Sequence, residues 1–473
     1  MRQPPWHMQP QFDRQHNVRL NGLRKLQRFV FLCATLLLGT PASGLSFKEA
    51  VERALSNDPT YLAAQANLRA SRERITQAAA ENFFQGSISA STSNNRREYT
   101  TRTSPPPANV PLEAYNTSSA QLSFTQPLWR HSSMIAFSQS KLGWKQADHQ
   151  LHAAGQDMLV RLTQAWFDAM QARDNVHAAD AQVQTAQQQL ESSQRANAKG
   201  ILSRTNLEDA RAKHEQALAE QAMAQSELEI KLGALEQIIG PLELSPPKLS
   251  DDYPSPRMGA DTLEHWLAIA EENNPSLLAA QRGLDAANEE VRKQQAGYEP
   301  TLDLVASYGK TSQAAGITGG QAGFDSYVGS VGLQFNMPLS VGGGQSAKVR
   351  EALAMKDKAV QELEAARRQA RMSVKEAWYT WRASAVRETS SHQSVISAEL
   401  NLKGAESARE RGIKSDIDVL QAGQQLSIAQ RDWHKARYDS ILGNFKLQAA
   451  CGQLNVEHLL MLDQAFGFES DEK

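Results

Sequence analysis

The chain has 473 residues, enough for two or three ordinary domains or for one long repetitive one. Its 50 basic residues nearly cancel its 52 acidic ones, only 7% of residues are aromatic, and alanine and glutamine are abundant. That balance favours long helices over a thick globular interior, and the lack of a basic surplus argues against nucleic acid as a partner.

Residues 1–44 read as an export leader. Arg19, Arg24, Lys25 and Arg28 form a basic region and Phe29 to Leu38 an apolar run; Pro41-Ala42-Ser43-Gly44 offers a cleavage segment ending at Gly44. The run is short for a membrane-spanning helix, and a retained N-terminal anchor is the alternative. Removing the leader takes away six basic residues and one acidic, leaving a mildly acidic 44 against 51. Cys33 lies in the leader, so the mature chain keeps only Cys451, which excludes an internal disulfide. Cys451 reads as a packed residue rather than a reactive thiol.

Residues 45–240 form a first unit, 241–260 a Pro- and Asp-rich linker, 261–455 a second unit and 456–473 a C-terminal tail. The two units are duplicates. Leu45 to Pro59, with Asn57-Asp58-Pro59, is answered by Asp261 to Pro275, with Asn273-Asn274-Pro275; Leu62-Ala63-Ala64-Gln65 recurs as Leu278-Ala279-Ala280-Gln281. Phe124 to Leu128 is answered by Phe335 to Leu339, Ala165-Trp166-Phe167 by Ala377-Trp378-Tyr379, Gly200-Ile201 by Gly412-Ile413, and Gly240 by Gly452.

Along the first unit, alternation predicts strands over about 84–93 and 117–128. Ile88 and Ala90 alternate with Ser87, Ser89 and Ser91, and Ala120, Leu122 and Phe124 with Gln121, Ser123 and Thr125. The polar connection between them carries Pro105-Pro106-Pro107. No proline follows from Leu128 to Gly240, and since an interior proline costs a helix about 3 kcal/mol, this stretch predicts extended helix. Met158, Leu162, Ala165, Ala169, Ala172, Val176, Ala179, Val183, Ala186 and Leu190 alternate spacings of four and three, the seam of a left-handed coiled coil. A helix from about Ser140 to Ala198 would be roughly 90 Å long. Glycine breaks the helices at Lys199-Gly200 and again at Arg411-Gly412.

The second unit repeats the plan. Strands are predicted over about 300–309 and 326–339, where Leu302, Leu304, Ala306 and Tyr308 and then Val331, Leu333 and Phe335 occupy alternate positions. Its seam keeps Ala370, Val374, Ala377, Trp381, Val395, Ala398 and Leu402 but admits Ser384, Glu388 and Ser391. Strands of this kind fit a membrane β-barrel, although a pair of soluble hairpins is the alternative. Four strands cannot close a barrel alone, so several copies must share one, and the helices would continue it as a tube. The expected role is a conduit.

Other signals carry less. Gly342-Gly343-Gly344 lacks the Lys-Ser or Lys-Thr of a phosphate loop, His149 and His152 lack a third metal ligand, and no nucleophile–base arrangement stands out. No enzyme activity, cofactor or metal is expected. The competing readings are a periplasmic coiled-coil adaptor or structural protein, and a passive nutrient pore.

These motifs resemble the TolC family of outer-membrane export channels. The resemblance rests on Phe47-Lys48-Glu49-Ala50 with Asn57-Asp58-Pro59, Phe124-Thr125-Gln126-Pro127-Leu128, Pro338-Leu339 with Gly342-Gly343-Gly344, and Gly412 to Leu420, and it covers residues 45–455. It implies a mainly α fold with a small β part, in which a homotrimer forms a 12-stranded β-barrel in outer-membrane lipid, continued by a 12-helix barrel in the periplasm. It implies the exit duct of a tripartite efflux pump or a type I secretion system, docked to a periplasmic adaptor and an inner-membrane transporter. Shorter helices over about Thr60–Asn82 and Asn206–Gly240, and over Pro275–Gly297 and Asp416–Cys451, would stack beside the long ones.

The resemblance places the gate after Gly200 and Gly412, with Gly200, Ser203, Gly412 and Ser415 at the turns that would meet the adaptor. Asp418 matches an acidic position lining the closed entrance, and Lys414 a place where a basic residue holds the helices together. Asn206 and Gln421 stand where related channels often carry aspartate, and Arg409 replaces an aromatic latch residue, so the closing bonds are expected to differ. The plainer role for Asp418 is a first-turn carboxylate in a helix capped by Ser415.

Overall fold

The computed structural model describes residues 45–97, 113–241, 249–250, 262–314, 322–339 and 342–463. The expected leader, the triple proline and most of the linker lie outside them.

Each unit opens with a short helix, a polar hinge and a second helix. In the first, α1 (Phe47–Asn57) is capped by Ser46, whose hydroxyl accepts from the Glu49 N–H at 3.1 Å. Asp58 ends α1 and caps α2 (Pro59–Ala80), accepting from the Tyr61 N–H at 2.7 Å, with Pro59 in the first turn where its missing N–H costs nothing. The chain then forms β1 (Gln85–Arg97), β2 (Glu113–Trp129), α3 (His131–Ala198) and α4 (Arg204–Ile239). The second unit gives α5 (Leu263–Asn273), α6 (Pro275–Gln295), β3 (Thr301–Gln313), β4 (Phe324–Asn336), α7 (Gly344–Glu410) and α8 (Asp416–Ala450). Here Asn274 takes the place of Asp58, accepting from the Leu277 N–H at 3.0 Å.

The long helix α3 has 68 residues, about 100 Å at 1.5 Å per residue. It begins at His131, directly after β2, rather than near Ser140. The apolar seam marks where α3 meets its neighbours, and the helix itself starts as soon as the strand ends. Of the seam, Met158, Leu162, Ala169, Ala172 and Leu190 are buried, and in α7 so are Val374, Trp381, Val395 and Ala398. Ser384 is accommodated in that seam because its hydroxyl donates to the Trp381 carbonyl at 2.8 Å.

The core lies midway along the long helices. Phe47 and Val51 of α1, Met158, Leu162, Trp166 and Met170 of α3, Leu235 and Ile239 of α4, and Ile441 and Phe445 of α8 meet there. Trp166 is fully buried with Phe47 edge-on to it at 5.1 Å, and Phe167 stacks on Tyr438 at 5.3 Å. Residues expected only as a tail add a helix, α9 (Val456–Asp463), whose Leu459 completes this core. From the linker, Leu249 is buried and the Ser250 carbonyl accepts from Arg437 at 3.0 Å.

Glycine and asparagine tie the start of each unit to its end. Asn57 donates to the Ile239 carbonyl at 3.1 Å beside Gly240, and Asn274 to the Ala450 carbonyl at 2.9 Å near Gly452. Gly452 has φ +76°, and a Cβ there would collide with the Asn273 carbonyl, so only glycine fits. In the first unit Asp58 also accepts two bonds from Arg161 of α3, at 3.0 and 3.3 Å. Burial pushes the Asp58 carboxyl up, but the Arg161 bonds and the cap outweigh it and hold the group below its usual range. Arg161→Ala should leave that carboxylate buried and short of partners, costing about 2 kcal/mol at neutral pH. Asp58 is lowered on folding, so its stabilisation is present above its unfolded pKa and is lost as pH falls through the folded one. The Arg161→Ala deficit, measured by thermal unfolding, should therefore shrink as pH drops below about 4.

The four strands form one antiparallel sheet in the order β1-β2-β3-β4, with the β2–β3 pairing joining the two units. Among the described residues the outer edges of β1 and β4 have no strand partner.

Candidate functional site

Two parts of the molecule carry functional geometry: the sheet and the helix turns at the far end of the long coils.

The strand register sorts the sheet into two unlike faces. On one, Ile88 lies opposite Leu122, and Leu122 opposite Tyr308; a neighbouring row runs Gly86, Phe124, Ala306, Val331; others pair Leu304 with Leu333 and Leu302 with Phe335. Ile88, Val331, Leu333 and Phe335 are strongly exposed in the single chain. From Phe335 to Tyr327 this apolar face runs about 27 Å along β4, comparable to the roughly 25 Å band of a membrane barrel. On the other face polar rows predominate: Ser87, Ser123, Ser307, Ser330 and, two rows on, Ser91, Ser119, Thr311, Ser326, with Ser89, Gln121, Gly309 and Val328 between them. Cross-strand hydroxyl pairs satisfy one another there, Ser91 with Ser119 at 2.8 Å and Ser307 with Ser330 at 2.9 Å. On the central strands these polar positions are less exposed than their apolar neighbours, as on the concave side of a curved sheet. At the base, Arg130 grips Asp303 with two bonds of 2.8 and 2.7 Å, and His131 meets Glu299 at 2.7 Å, locking the start of α3 to the second unit.

At the other end, α3 and α7 each finish on a glycine of positive φ, Gly200 at +70° and Gly412 at +73°. Ser203 then caps α4, accepting from the Asn206 N–H at 3.3 Å. Ser415 caps α8 through a reciprocal box with Asp418: the Asp418 N–H donates to the Ser415 hydroxyl, and the Asp418 carboxylate accepts from the Ser415 N–H and hydroxyl, both at 2.8 Å. Arg409 reaches Asp416 across the turn at 3.5 Å. Asn206, Gln421 and Lys414 are exposed, and so are the tips Ile201 and Ile413. Within one chain the structure thus brings together Ser203 with Asn206, Ser415 with Asp418, and Arg409 with Asp416.

The Ser415 N–H, then its hydroxyl, hold the Asp418 carboxyl below its usual range, and the Lys414 charge adds to this. The lowered pKa means that the box is intact above the unfolded value and loosens as pH falls through the folded one. Ser415→Ala should speed amide exchange in the first turn of α8 roughly fivefold at neutral pH. That contrast should shrink as pH falls through the lowered folded pKa of Asp418 and its carboxylate takes up a proton.

A buried polar cluster links the two units at mid-length. The Tyr438 hydroxyl donates to Asp174 at 2.9 Å and His434 Nδ1 lies 3.3 Å from the same oxygen. Burial, then the Asp174 charge, pushes the Tyr438 phenol up, so it remains a donor. Nothing local in the sequence marks Asp174 or Tyr438, because the pair joins α3 to α8 across 264 positions. Among the described residues no set of three His, Cys, Asp or Glu is placed to hold a metal ion. His152 stands 3.9 Å from Asp148, and Gly342 and Gly343, at φ +57° and +77°, turn the chain into α7. No described helix is long and apolar enough to cross a membrane.

Long paired helices that carry a short two-faced sheet define a channel subunit whose membrane part is a barrel segment. The family described as "Outer membrane efflux protein" matches residues 50–241 and again 266–453. The chain is 26% identical to "Outer membrane protein TolC" of Vibrio cholerae over 92% of its own length and 98% of that protein. It is also 26% identical to "Alkaline protease secretion protein AprF" of Pseudomonas aeruginosa, covering 94% of this chain and 92% of that one. In fold it is similar to the CmeC outer membrane channel of Campylobacter jejuni, with TM-score 0.71 and 18% identity over 89% of this chain and 90% of that chain. The chain belongs to the outer membrane efflux protein family. It resides in the outer membrane, with its helices in the periplasm, and acts as an outer-membrane channel of the efflux and type I secretion kind.

Proposed function

We propose that three copies of the chain close one 12-stranded barrel, continued by a 12-helix tunnel, and that this homotrimer is a passive exit duct with no chemistry of its own. The observation that carries this reading is the sheet: its polar face suits water, its apolar face suits lipid, and both outer edges await another strand. In hydrocarbon, unpaired edges cost several kcal/mol per polar group, so β1 of one copy must meet β4 of the next.

The duct is energised elsewhere. A periplasmic adaptor would join it to an inner-membrane transporter at the turns around Gly200, Ser203, Gly412 and Ser415, where Ile201 and Ile413 offer matching apolar tips. Arg409, Lys414, Asp418, Gln421 and Asn206 would form the gate beside those turns. The matches to TolC and to a protease secretion protein support this assignment.

Protein extracted from outer membranes in mild detergent should have about three times the chain mass of 52.1 kDa, less the leaders, by light scattering. It should also form ion-conducting pores in planar bilayers. A monomer, or a trimer without conductance, overturns the reading.

A further inference from the structure

The apolar face of the sheet ends in a polar patch that conduction does not require. The apolar band closes at the row Ala90, Ala120, Lys310 and Tyr327. The next row on the same face is Thr92, Ser118, Ser312 and Asp325, and Arg96 stands two rows further along β1. The helices join the strands at their opposite ends, so these rows lie towards the hairpin connections, the outer side of the membrane in a barrel. Among the described strand residues, Lys310 and Arg96 are the bases of this face and Asp325 its acid.

The patch is hollow. Ala90 and Ala120 are small, and with Thr92, Ser118, Ser312 and Lys310 they line a cavity of about 480 Å³. The Lys310 ammonium is held beside it, 5.3 Å from the centre of the Tyr327 ring and 3.1 Å from Asp325. An ammonium carries three N–H donors, so these two neighbours leave one to point outward. The hydroxyls are arranged to accept. Thr92 donates to Asn116 Oδ1 at 3.1 Å, which leaves Ser118 to donate to Thr92, also at 3.1 Å, with a free lone pair on its own oxygen. On the band side of the hollow, Ile88, Leu122 and Tyr308 are exposed. A ligand matched to this arrangement is anionic and carries hydroxyl donors, and its apolar part lies along the band. Basic side chains at the level where hydrocarbon gives way to head groups recognise lipid phosphates in this way.

We propose that the hollow is a lipid site for the phosphorylated saccharide head group of an outer-leaflet lipid. Lys310 meets the phosphate, Thr92 and Ser118 accept from sugar hydroxyls, and the acyl chains lie over Ile88, Leu122 and Tyr308. This rests on the barrel reading above, which turns this face towards lipid. The site lies outside the lumen, so it engages the membrane and not the cargo.

The test uses full-length protein in mild detergent, with binding scored on the trimer fraction after size exclusion. Labelled lipopolysaccharide is the probe, intact in one arm and dephosphorylated in the other. The unaltered protein should bind the intact lipid about tenfold more tightly than the dephosphorylated one. Lys310→Gln should abolish that preference, and Lys310→Arg should keep most of it, because a guanidinium also binds phosphate. Arg97→Gln, next to Arg96 in the chain but on the opposite face, should leave the preference unchanged. A conducting trimer that binds both lipids alike, or a Lys310→Gln variant that still prefers the intact one, overturns the proposal and leaves the barrel standing. An equal loss in Arg97→Gln would reduce the effect to general charge attraction and also overturns it. Protein that yields no conducting trimer defeats the barrel reading and the proposal with it.

Discussion

Trp166→Ala should be the most damaging single truncation in the helical part, costing about 3–5 kcal/mol. Trp166 is fully buried where α1, α3, α4 and α8 converge, and Phe47 meets its edge. Removing the indole leaves a cavity that four helices cannot collapse into at once. Because this cluster fastens the start of the first unit to its end, the loss should reach both the unfolding midpoint and the yield of folded protein in the outer membrane. Trp378, the matching residue in the second unit, is only partly buried beside the smaller cluster of Val374, Trp381 and Leu447, so Trp378→Ala should cost less. Thermal unfolding of both variants measures the contrast. Equal shifts would show that the first unit's core does not anchor the molecule.

Val331→Arg should prevent assembly, whereas Ser330→Arg should not. The two residues are neighbours on β4 but belong to opposite faces of the sheet, Val331 opposite Ala306 and Ser330 opposite Ser307. In a barrel, an arginine at position 331 meets hydrocarbon near mid-membrane, a cost of about 2–4 kcal/mol that is repeated in every copy. At position 330 it meets water. The measurement is the fraction of each variant recovered as an outer-membrane oligomer, with urea titration in lipid vesicles for the stability difference. Similar losses in both would mean that the faces are not distinguished by lipid.

Much of this architecture was open to reading from the chain alone. The alternation at Ile88, Ala120, Leu122 and Phe124 marked strands, and the four-three spacing from Met158 to Leu190 marked a coiled coil, because both periods follow from local backbone geometry. The duplicated Asn-Asp-Pro and Asn-Asn-Pro hinges, and the glycines at 200, 240, 412 and 452, revealed the repeat for the same reason. A proline after a capping side chain, or a glycine at positive φ, works over a few residues. The cap at Ser415 belongs to this class: a serine with an acid three positions on is enough to expect it.

Other features belong to no local pattern. The sequence offered no sign that α3 begins at His131, that residues 456–463 form a helix completing the core, or that Arg130 grips Asp303. It placed apolar residues on alternate positions of four strands but not which rows align, and only the register joins Ile88, Leu122 and Tyr308 into one band.

The amino-acid sequence by itself determined the kind of element, the duplication, and hence the family and channel class, since periodicity and punctuation are written residue by residue. Only the tertiary structure decided which side of the sheet gathers the apolar band from Phe335 to Tyr327, which charges are neutralised, and that Asp174, Tyr438 and His434 meet. The physical reason is that such contacts are made between segments far apart in the chain, where strand register and helix packing, not local preference, bring the partners within bonding distance.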